Sequence, residues 1–232
     1  MIKFQNITKI YPTHFSNGSP VIILDNVSFE IKDGEFVSIV GKSGAGKTTL
    51  IRLLLGLEEP TSGKIFVDNI NINKINSTKL QKVRRKIGVA YQDYKLLSTK
   101  TVYENIAYIM AVKGRDDREI TKEVSRVLEI AGLAEKINNF PDELSGGEQQ
   151  RLAIARAIVS QPDIVVADEP TGNLDPYNTY EIISLLKKVN EKGKTVLLAT
   201  HNKEIINQLG KRVITLQDGK IVHDEDKGKF IL

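Results

Sequence analysis

Gly41-Lys42-Ser43-Gly44-Ala45-Gly46-Lys47-Thr48 follows the pattern G-x-x-x-x-G-K-[ST]. Glycines in such a loop let successive backbone N–H groups turn toward one anion. A buried strand is predicted before the loop at residues 35–40 and an apolar helix after it at 48–55. The helix would present its positive N-terminal end to the same anion. We therefore predict a phosphate-binding loop, in which Lys47 reaches the β- and γ-phosphates of ATP and the Thr48 hydroxyl binds Mg²⁺.

Two acidic residues, Asp168 and Glu169, follow an apolar run at residues 164–167. Such a run predicts a buried strand, and open α/β sheets bind their ligands at the carboxyl ends of strands. We expect Asp168 to hold Mg²⁺, directly or through water. Glu169 is the candidate general base that polarises the attacking water.

A second glycine-containing motif is Leu144-Ser145-Gly146-Gly147-Glu148-Gln149-Gln150, which precedes a helix rich in Arg and Ala. Ser145 at a helix N-terminus is, on one interpretation, simply an N-cap. A cap does not need two glycines, however, and a glycine-lined helix N-terminus is typical of a phosphate site. Because one ATP does not need two such sites in one chain, we infer that the second site serves the nucleotide of a partner.

The order of predicted elements is that of an α/β protein with a helical insert. Residues 1–40 alternate as strands, the stretch from about 102 to 160 has helical spacing, and strands then alternate with helices again. The polar segment 13–20 is predicted as a loop or hairpin tip. Further strands are predicted at 64–68, 87–91, 164–167, 195–199 and 212–216, and further helices at 180–188 and 203–209.

Bulk composition is that of a soluble globular protein, with 232 residues, 41% hydrophobic and 27% charged. The absence of Cys excludes disulfides and thiolate metal sites. The N-terminus has no apolar signal region and no apolar run is long enough to span a bilayer, so we expect a cytoplasmic chain without direct membrane insertion. The net charge is +4, and the lysines and arginines are scattered along the chain. Its densest cluster, Lys82 with Arg84-Arg85-Lys86, is interpreted as a solvated face, and no nucleic acid is expected.

The segment at residues 144–149 resembles the signature of ABC-transporter ATPases. The resemblance covers essentially the whole chain. It implies an ABC nucleotide-binding domain, with a P-loop RecA-like core, an N-terminal antiparallel β subdomain and an inserted α-helical subdomain. It implies one domain over residues 1–232, with the core at 1–92 and 159–232 and the helical subdomain at about 93–158. It also implies a homodimer on ATP binding, in which the signature of one copy closes over the γ-phosphate held by the other.

Other positions take their roles from the same resemblance. Tyr11 resembles the aromatic residue that stacks on adenine, and His201 the histidine that contacts the γ-phosphate. Gln92 resembles the glutamine that touches Mg²⁺ and the attacking water, and Asn173-Leu174-Asp175 the loop between subunits. The catalytic residues are then Glu169, His201 and Gln92, and the Mg²⁺ ligands Thr48, Gln92 and Asp168. The predicted nucleotide contacts are Tyr11, Gly41, Lys42, Ser43, Gly44, Ala45, Gly46, Lys47, Thr48, Thr49, Ser145, Gly146, Gly147, Glu148 and Asp175.

Individually, these residues have structural interpretations. Tyr11 alone is typical of a half-buried strand tyrosine, and Gln92 of a surface amide. His201 alone could cap the following helix. Glu148 departs from the general signature, which often has Gln there, although a subset of exporter-like ATPases carries Glu. The joint occurrence in the family order favours the functional interpretation.

Four segments, at residues 92–97, 100–107, 140–151 and 199–202, closely resemble the ATP-binding proteins of bacterial cell division. This implies an integral membrane partner, a location at the inner face of the cell membrane, and ATP-driven closure that switches on cell-wall hydrolases. ATPases of lipoprotein release and macrolide export are the alternative, and they tend to differ at 93–97. ABC ATPases that act on DNA or ribosomes usually have two ATPase halves or a coiled-coil insert, which this chain lacks. A nucleotide-dependent scaffold with little turnover also stays open.

Overall fold

The computed structural model describes residues 1–12, 20–172 and 174–228. The predicted loop at 13–20 therefore lies outside the described residues except for Pro20, as does Asn173. The chain forms two compact units. The terminal unit comprises Met1–Arg84 and the chain from Leu197 onward, and the middle unit is Arg85–Val196. Strand β8, which is defined below, begins in the middle unit and ends in the terminal unit.

Strands and helices follow the order expected from the sequence. The strands are β1 (Ile2–Tyr11), β2 (Val21–Ile31), β3 (Phe36–Val40), β4 (Ser62–Val67), β5 (Ile70–Asn71), β6 (Ile87–Ala90), β7 (Ile164–Asp168), β8 (Thr195–Thr200), β9 (Arg212–Gln217) and β10 (Lys220–Glu225). The α-helices are α1 (Lys47–Leu54), α2 (Ser77–Arg84), α3 (Val102–Val112), α4 (Asp117–Ile130), α5 (Gly146–Ile158), α6 (Pro176–Glu191) and α7 (Lys203–Leu209). Short 3₁₀ helices are Ile72–Lys74, Ala134–Lys136 and Pro141–Glu143.

An antiparallel sheet of order β2-β1-β4-β5 forms part of the terminal unit. Alternation along β1 buries Ile2 and Phe4 on one face, and Phe4 pairs in register with Phe29 of β2. The two phenyl rings stack with centroids 4.6 Å apart. The prediction of an N-terminal antiparallel β region is confirmed.

Strands of the terminal unit also form a mixed sheet, in which β3 and β9 pair in parallel and β9 pairs antiparallel with β10. Every residue of β3 is buried, as expected for a strand covered on both faces. Helix α1 follows β3 after the loop 41–46, and Arg84 binds the two carbonyls that come directly after the helix. The guanidinium of Arg84 donates to the oxygens of Leu55 at 2.7 Å and Gly56 at 2.8 Å. Part of the basic cluster is thus a helix cap rather than a solvated face.

The middle unit is mainly helical, and α5 is its most buried helix. Its strands β6 and β7 pair in parallel, with Ile87 opposite Ile164 and Ala90 opposite Ala167. Close packing explains Gly88 of β6, where a Cβ would lie 2.0 Å from the Ala157 oxygen of α5. The predicted helical insert is confirmed by α3, α4 and α5.

Helix boundaries were the least accurate of the predictions. The helix predicted at 180–188 is α6, which begins at Pro176 and ends at Glu191. Asp175 caps its N-terminus and Pro176 occupies the first turn, a combination that starts helices. Helix α2 was missed, because its eight residues are mostly polar and only Val83 is buried. Among the described residues, no helix combines the length and apolar content that crossing a bilayer requires.

Candidate nucleotide site

The phosphate loop connects β3 to α1 in the terminal unit, and its glycines are required by geometry. Gly46 has a φ of 101°, and a Cβ on it would lie 2.7 Å from Cδ2 of Leu24. A Cβ on Gly41 would lie 2.5 Å from the Leu216 oxygen. Lys47 is only 6% exposed, and its ammonium donates to the Gly41 oxygen at 2.8 Å. A buried cation at the start of a helix, next to a glycine-containing loop, is suited to binding an anion.

Tyr11 is held in place by charged neighbours in the terminal unit. Its hydroxyl hydrogen-bonds the Glu58 carboxylate, and the Lys9 ammonium lies 4.8 Å from the ring centroid. Glu58 also accepts from Nε of Arg52 at 2.5 Å. Burial, and then the Glu58 carboxylate, raise the pKa of the Tyr11 hydroxyl. The ring is therefore fixed in orientation with one face under a cation, and stacking on adenine stays a prediction for the other face.

His201 follows β8 and is exposed, but it does not cap α7. The cap is Asn202, whose side-chain oxygen accepts from the backbone N–H groups of Glu204 at 3.0 Å and Ile205 at 3.2 Å. The purely structural interpretation of His201 as a helix cap is therefore wrong. The predicted contact of His201 with the γ-phosphate stays a prediction.

The acidic pair ends strand β7 of the middle unit. All residues of β7 are buried, and Asp168 at its end is 6% exposed. Glu169 then adopts a φ of 47°, a left-handed conformation that costs a non-glycine residue about 1 kcal/mol. Backbone strain of this kind is concentrated at functional sites. The turn that follows closes with the Gly172 N–H donating to the Glu169 oxygen at 3.2 Å.

Gln92 lies directly against that turn. A Cβ on Gly172 would lie 3.0 Å from Nε2 of Gln92, so the amide of Gln92 is close to the backbone of this turn. Gln92 itself is exposed. The middle unit thus brings Gln92 next to the turn that begins at the candidate general base.

Ser145 caps helix α5 and forms a capping box with Glu148. The Glu148 carboxylate accepts hydrogen bonds from the backbone N–H of Ser145 at 2.8 Å and from the Ser145 hydroxyl at 2.9 Å. In return, the backbone N–H of Glu148 donates to the hydroxyl oxygen of Ser145 at 3.3 Å. The bond from the Ser145 backbone is the main cause that lowers the pKa of Glu148. Glu148 at this position therefore has a structural role that a carboxylate fills well.

The two glycines after Ser145 have different environments. A Cβ on Gly147 would lie 2.0 Å from Oδ1 of Asn178, so close packing against α6 requires this glycine. This corrects the argument that only an anion explains both glycines. Gly146 is exposed, and the nearest atom to a Cβ there would be the Tyr94 hydroxyl at 3.3 Å. The exposed end of α5 at Gly146 is the part that remains suited to an external phosphate.

Asp175 caps α6 and is joined to α5 through Asn178. Its carboxylate accepts from the backbone N–H groups of Tyr177 at 2.9 Å and Asn178 at 3.0 Å. Hydrogen bonds, first from the Asn178 side chain, lower the pKa of Asp175. Arg151 of α5 donates to Asn178 at 3.1 Å. The start of α6 is therefore ordered by the signature helix, while a contact between Asp175 and nucleotide stays a prediction.

The sequence matches the ABC transporter family over residues 24–172, a stretch that holds the phosphate loop, the Ser145 motif and the acidic strand. The chain belongs to the ABC transporter family. It is an ATPase cassette of that family that binds adenine nucleotides. The predictions of family, cassette fold and ATPase are thereby confirmed.

Similarity to known cassettes extends over nearly the whole chain. The cell division ATP-binding protein FtsE of Bacillus subtilis is 48% identical over 230 residues, which are 99% of this chain and 98% of the relative. FtsE of Streptococcus pneumoniae is 49% identical, with 99% and 97% covered. Among solved structures, a dimeric ATP-binding cassette in a post-hydrolysis state with ADP and Pi has a TM-score of 0.89 and 39% identity, covering 99% of this chain and all of that one.

One residue of this ABC cassette that sequence reasoning missed is Arg156 of α5. Its guanidinium donates to the Tyr94 oxygen at 2.7 Å and the Lys95 oxygen at 2.6 Å. Tyr94 and Lys95 have φ values of 58° and 51°, so the segment after Gln92 contains two consecutive left-handed residues. Burial lowers the pKa of Arg156. Nothing in the local sequence reveals this bond, because the partners are separated by some 60 positions.

Proposed function

We propose that this chain is the ATP-binding and ATP-hydrolysing subunit of an FtsE/FtsX-type complex, peripheral at the cytoplasmic face of the cell membrane. In this proposal, ATP-driven closure of a homodimer acts on an integral membrane partner resembling FtsX during cell division and activates peptidoglycan hydrolases. The observation that carries the assignment is the end-to-end similarity to curated cell-division ATP-binding proteins. The dimeric cassette of the same fold supports the homodimer.

Binding begins at the phosphate loop. Its backbone N–H groups and the buried Lys47 hold the β- and γ-phosphates, Thr49 lies beside them, and Tyr11 stacks on adenine. Lys47 is already inside the loop on the Gly41 oxygen, so little rearrangement is needed for it to meet a phosphate. Pre-placed charge of this kind lowers the reorganisation cost of binding.

Mg²⁺ fits the donors that the sequence provides: the Thr48 hydroxyl, the Gln92 amide and the Asp168 carboxylate are the oxygen ligands that this ion prefers. When bound, the ion supplies neutralisation of the phosphate charge. The low exposure of Asp168 supports a role as a ligand rather than as a surface acid.

Hydrolysis is assigned to Glu169, His201 and Gln92. Glu169 accepts the proton of the attacking water. Its left-handed backbone conformation turns the chain at the end of β7. Gln92, against the turn after Glu169, orients the same water. His201 donates to the γ-phosphate as charge develops there.

Each ATP site is completed by a second copy. The N-terminus of α5 at Ser145, Gly146 and Gly147 closes over the γ-phosphate bound by the partner. The Ser145 hydroxyl donates to Glu148 in the single chain. It can turn toward a phosphate while its oxygen still accepts from the Glu148 N–H, so the cap survives closure. Cleavage of the shared anion then lets the two copies separate.

The partner is tested by recovering complexes from detergent-solubilised membranes of the native host with this chain as bait, in the presence of ATP. The proposal expects a four-helix membrane protein with a large external domain, and its loss when the bait carries Lys47→Ala. Recovery of a lipoprotein-release or macrolide-export permease instead would overturn the cell-division assignment and leave the ATPase standing. Recovery of a soluble partner with undetectable ATP turnover would favour a scaffold.

A further inference from the structure

The middle unit contains a cavity of about 420 Å³ that the ATPase mechanism does not use. It lies among α4, the C-terminal ends of α5 and α6, and the start of β7. Its apolar lining consists of Ile130, Ile158, Pro162, Val165 and Val189. Four of these residues, Ile158, Pro162, Val165 and Val189, are buried and form the floor of the cavity. The floor is therefore part of the packed interior of the middle unit. Its volume falls in the range of pockets that enclose small molecules, about 300–1,000 Å³.

Most of the charged side chains that line the cavity are cationic: Lys122, Arg126, Lys188, Lys192 and Lys194. The lining contains a single acid, Glu123. Glu123 is already engaged: Nε of Arg126 donates to it at 2.9 Å and Nε2 of Gln161 at 3.0 Å. Burial alone would raise the pKa of Glu123, but the bonds from Gln161 and Arg126 lower it. The acid therefore stays charged and neutralises Arg126, which leaves the lysines in excess.

Lys188 and Lys192 are one turn apart at the end of α6, and both are exposed. In the described part of the chain, neither forms an ion pair within 4.0 Å. Lys194 donates to the Gln161 oxygen at 3.2 Å and lies 3.8 Å from Asp163. The helix dipole stabilises cations near a helix C-terminus, and this structural effect could explain why lysines occur there. That reason does not account for an apolar cavity beneath them.

We propose that this cavity binds a soluble small-molecule anion with a compact apolar body. The apolar floor removes the body from water, and the lysine rim holds a carboxylate, sulfonate or phosphate group. The combination of a mostly apolar concave surface with a few charged groups at its mouth is typical of small-molecule sites. Binding to a membrane surface would instead need apolar side chains that project outward into the lipid, and not ones that form the bottom of a cavity.

The site lies at the opposite ends of α5 and α6 from the signature and Asp175. Helices α5 and α6 carry Ser145 and Asp175 at their N-termini and line the cavity at their C-terminal ends. A helix the length of α5, 13 residues, spans about 20 Å. The proposed cavity site therefore does not rest on the proposed nucleotide contacts or on the proposed function.

The probe for the test is 8-anilinonaphthalene-1-sulfonate, an apolar bicyclic body with one anionic group. It is titrated into the full chain with saturating ATP and Mg²⁺, and binding is followed by methyl NMR of Ile, Leu and Val. We expect saturable shifts at Ile130, Ile158, Val165 and Val189. The double variant Lys188→Glu/Lys192→Glu should weaken binding about tenfold or more through charge reversal near the sulfonate.

Matched controls distinguish the effect of charge reversal at the cavity from the effect of a change in the protein's overall charge. Lys79→Glu/Lys82→Glu makes the same change on the exposed face of α2 and should leave the affinity unchanged. N-phenyl-1-naphthylamine, the same body without the sulfonate, should bind at least about tenfold more weakly if charge recognition holds. Equal binding of the neutral compound, or shifts confined to other methyl groups, would overturn the proposal. Shifts of the same methyl groups caused by phosphatidylglycerol vesicles without the probe would also contradict it, because the occupant would then be a lipid surface.

Discussion

Glu169 is the residue on which hydrolysis depends most in the proposed mechanism. We expect Glu169→Gln to lower phosphate release about a hundredfold or more, since the amide cannot accept the proton of the attacking water. Binding of a fluorescent N-methylanthraniloyl ATP should be retained. The control Glu135→Gln changes an exposed acid elsewhere in the middle unit and should hydrolyse ATP normally. Turnover of the Glu169 variant equal to the wild type would remove Glu169 from the mechanism.

Gly46 combines a left-handed backbone with a crowded neighbour, and Gly193 offers a matched comparison. Gly193 has a φ of 80° and open space around its Cα, so Gly193→Ala should cost only about 1 kcal/mol of backbone strain. Gly46→Ala adds a clash with Leu24 and should abolish ATP binding as well as lower stability further. Urea unfolding and nucleotide titration measure the two effects. Equal consequences for both variants would mean that crowding in the loop is unimportant.

His201 and Asn202 are neighbours with separate predicted tasks. Asn202→Ala removes the cap of α7 and should lower stability by about 1 kcal/mol. His201→Ala should lower phosphate release at least about tenfold, because a donor to the γ-phosphate is lost, and should lower stability less than Asn202→Ala does. Thermal unfolding and phosphate release are measured on both variants. A stability loss for His201→Ala with normal turnover would reverse the two roles.

At the scale of elements, α5 links the signature to the segment after Gln92. Its residue Arg156 donates to two successive carbonyls of that segment, at Tyr94 and Lys95. The chain there has left-handed φ values and no regular secondary structure, so these bonds hold a conformation that it would not keep alone. Arg156 is in this sense a positioning residue.

Arg156→Ala should therefore release the segment at residues 93–97. We expect hydrogen exchange of its amides to accelerate about tenfold or more, as two charge-assisted bonds are lost. Arg156→Lys should restore part of the protection, and the exposed Arg118→Ala should change nothing there. Faster exchange spread evenly over the whole middle unit would instead indicate a general packing role.

Elements with a strong local pattern were predictable, and those defined by partners were not. Helix α7 was placed at its observed bounds because its apolar spacing and flanking residues are local signals. The first turn of α6 was missed because polar Tyr177 and Asn178 gave no periodicity, although Asp175-Pro176 is a recognisable start. The packing reason for Gly147 depends on Asn178 of another helix, which no local pattern contains.

For the whole molecule, the sequence predicted the cassette family and the motif residues, since each motif is a short stretch of chain. Contacts between distant segments, such as Glu58 with Tyr11, could not be read from it. The single-domain division into a core at 1–92 and 159–232 and a helical part at about 93–158 stays a prediction. It differs at both boundaries from the compact units Met1–Arg84 with the C-terminal part, and Arg85–Val196.

The central claim is that ATP joins two copies through the phosphate loop of one and Ser145 of the other. The most direct measurement is the mass of Glu169→Gln at saturating Mg-ATP, by size-exclusion chromatography with light scattering. The account predicts twice the 25.9 kDa of one chain, and a return to a single chain when Ser145→Arg is added without loss of ATP binding. As a control, Thr101→Arg removes the matching capping box of α3 and should leave the dimer intact. A Glu169→Gln protein that stays monomeric with ATP bound, or a dimer indifferent to Ser145→Arg, would contradict the account.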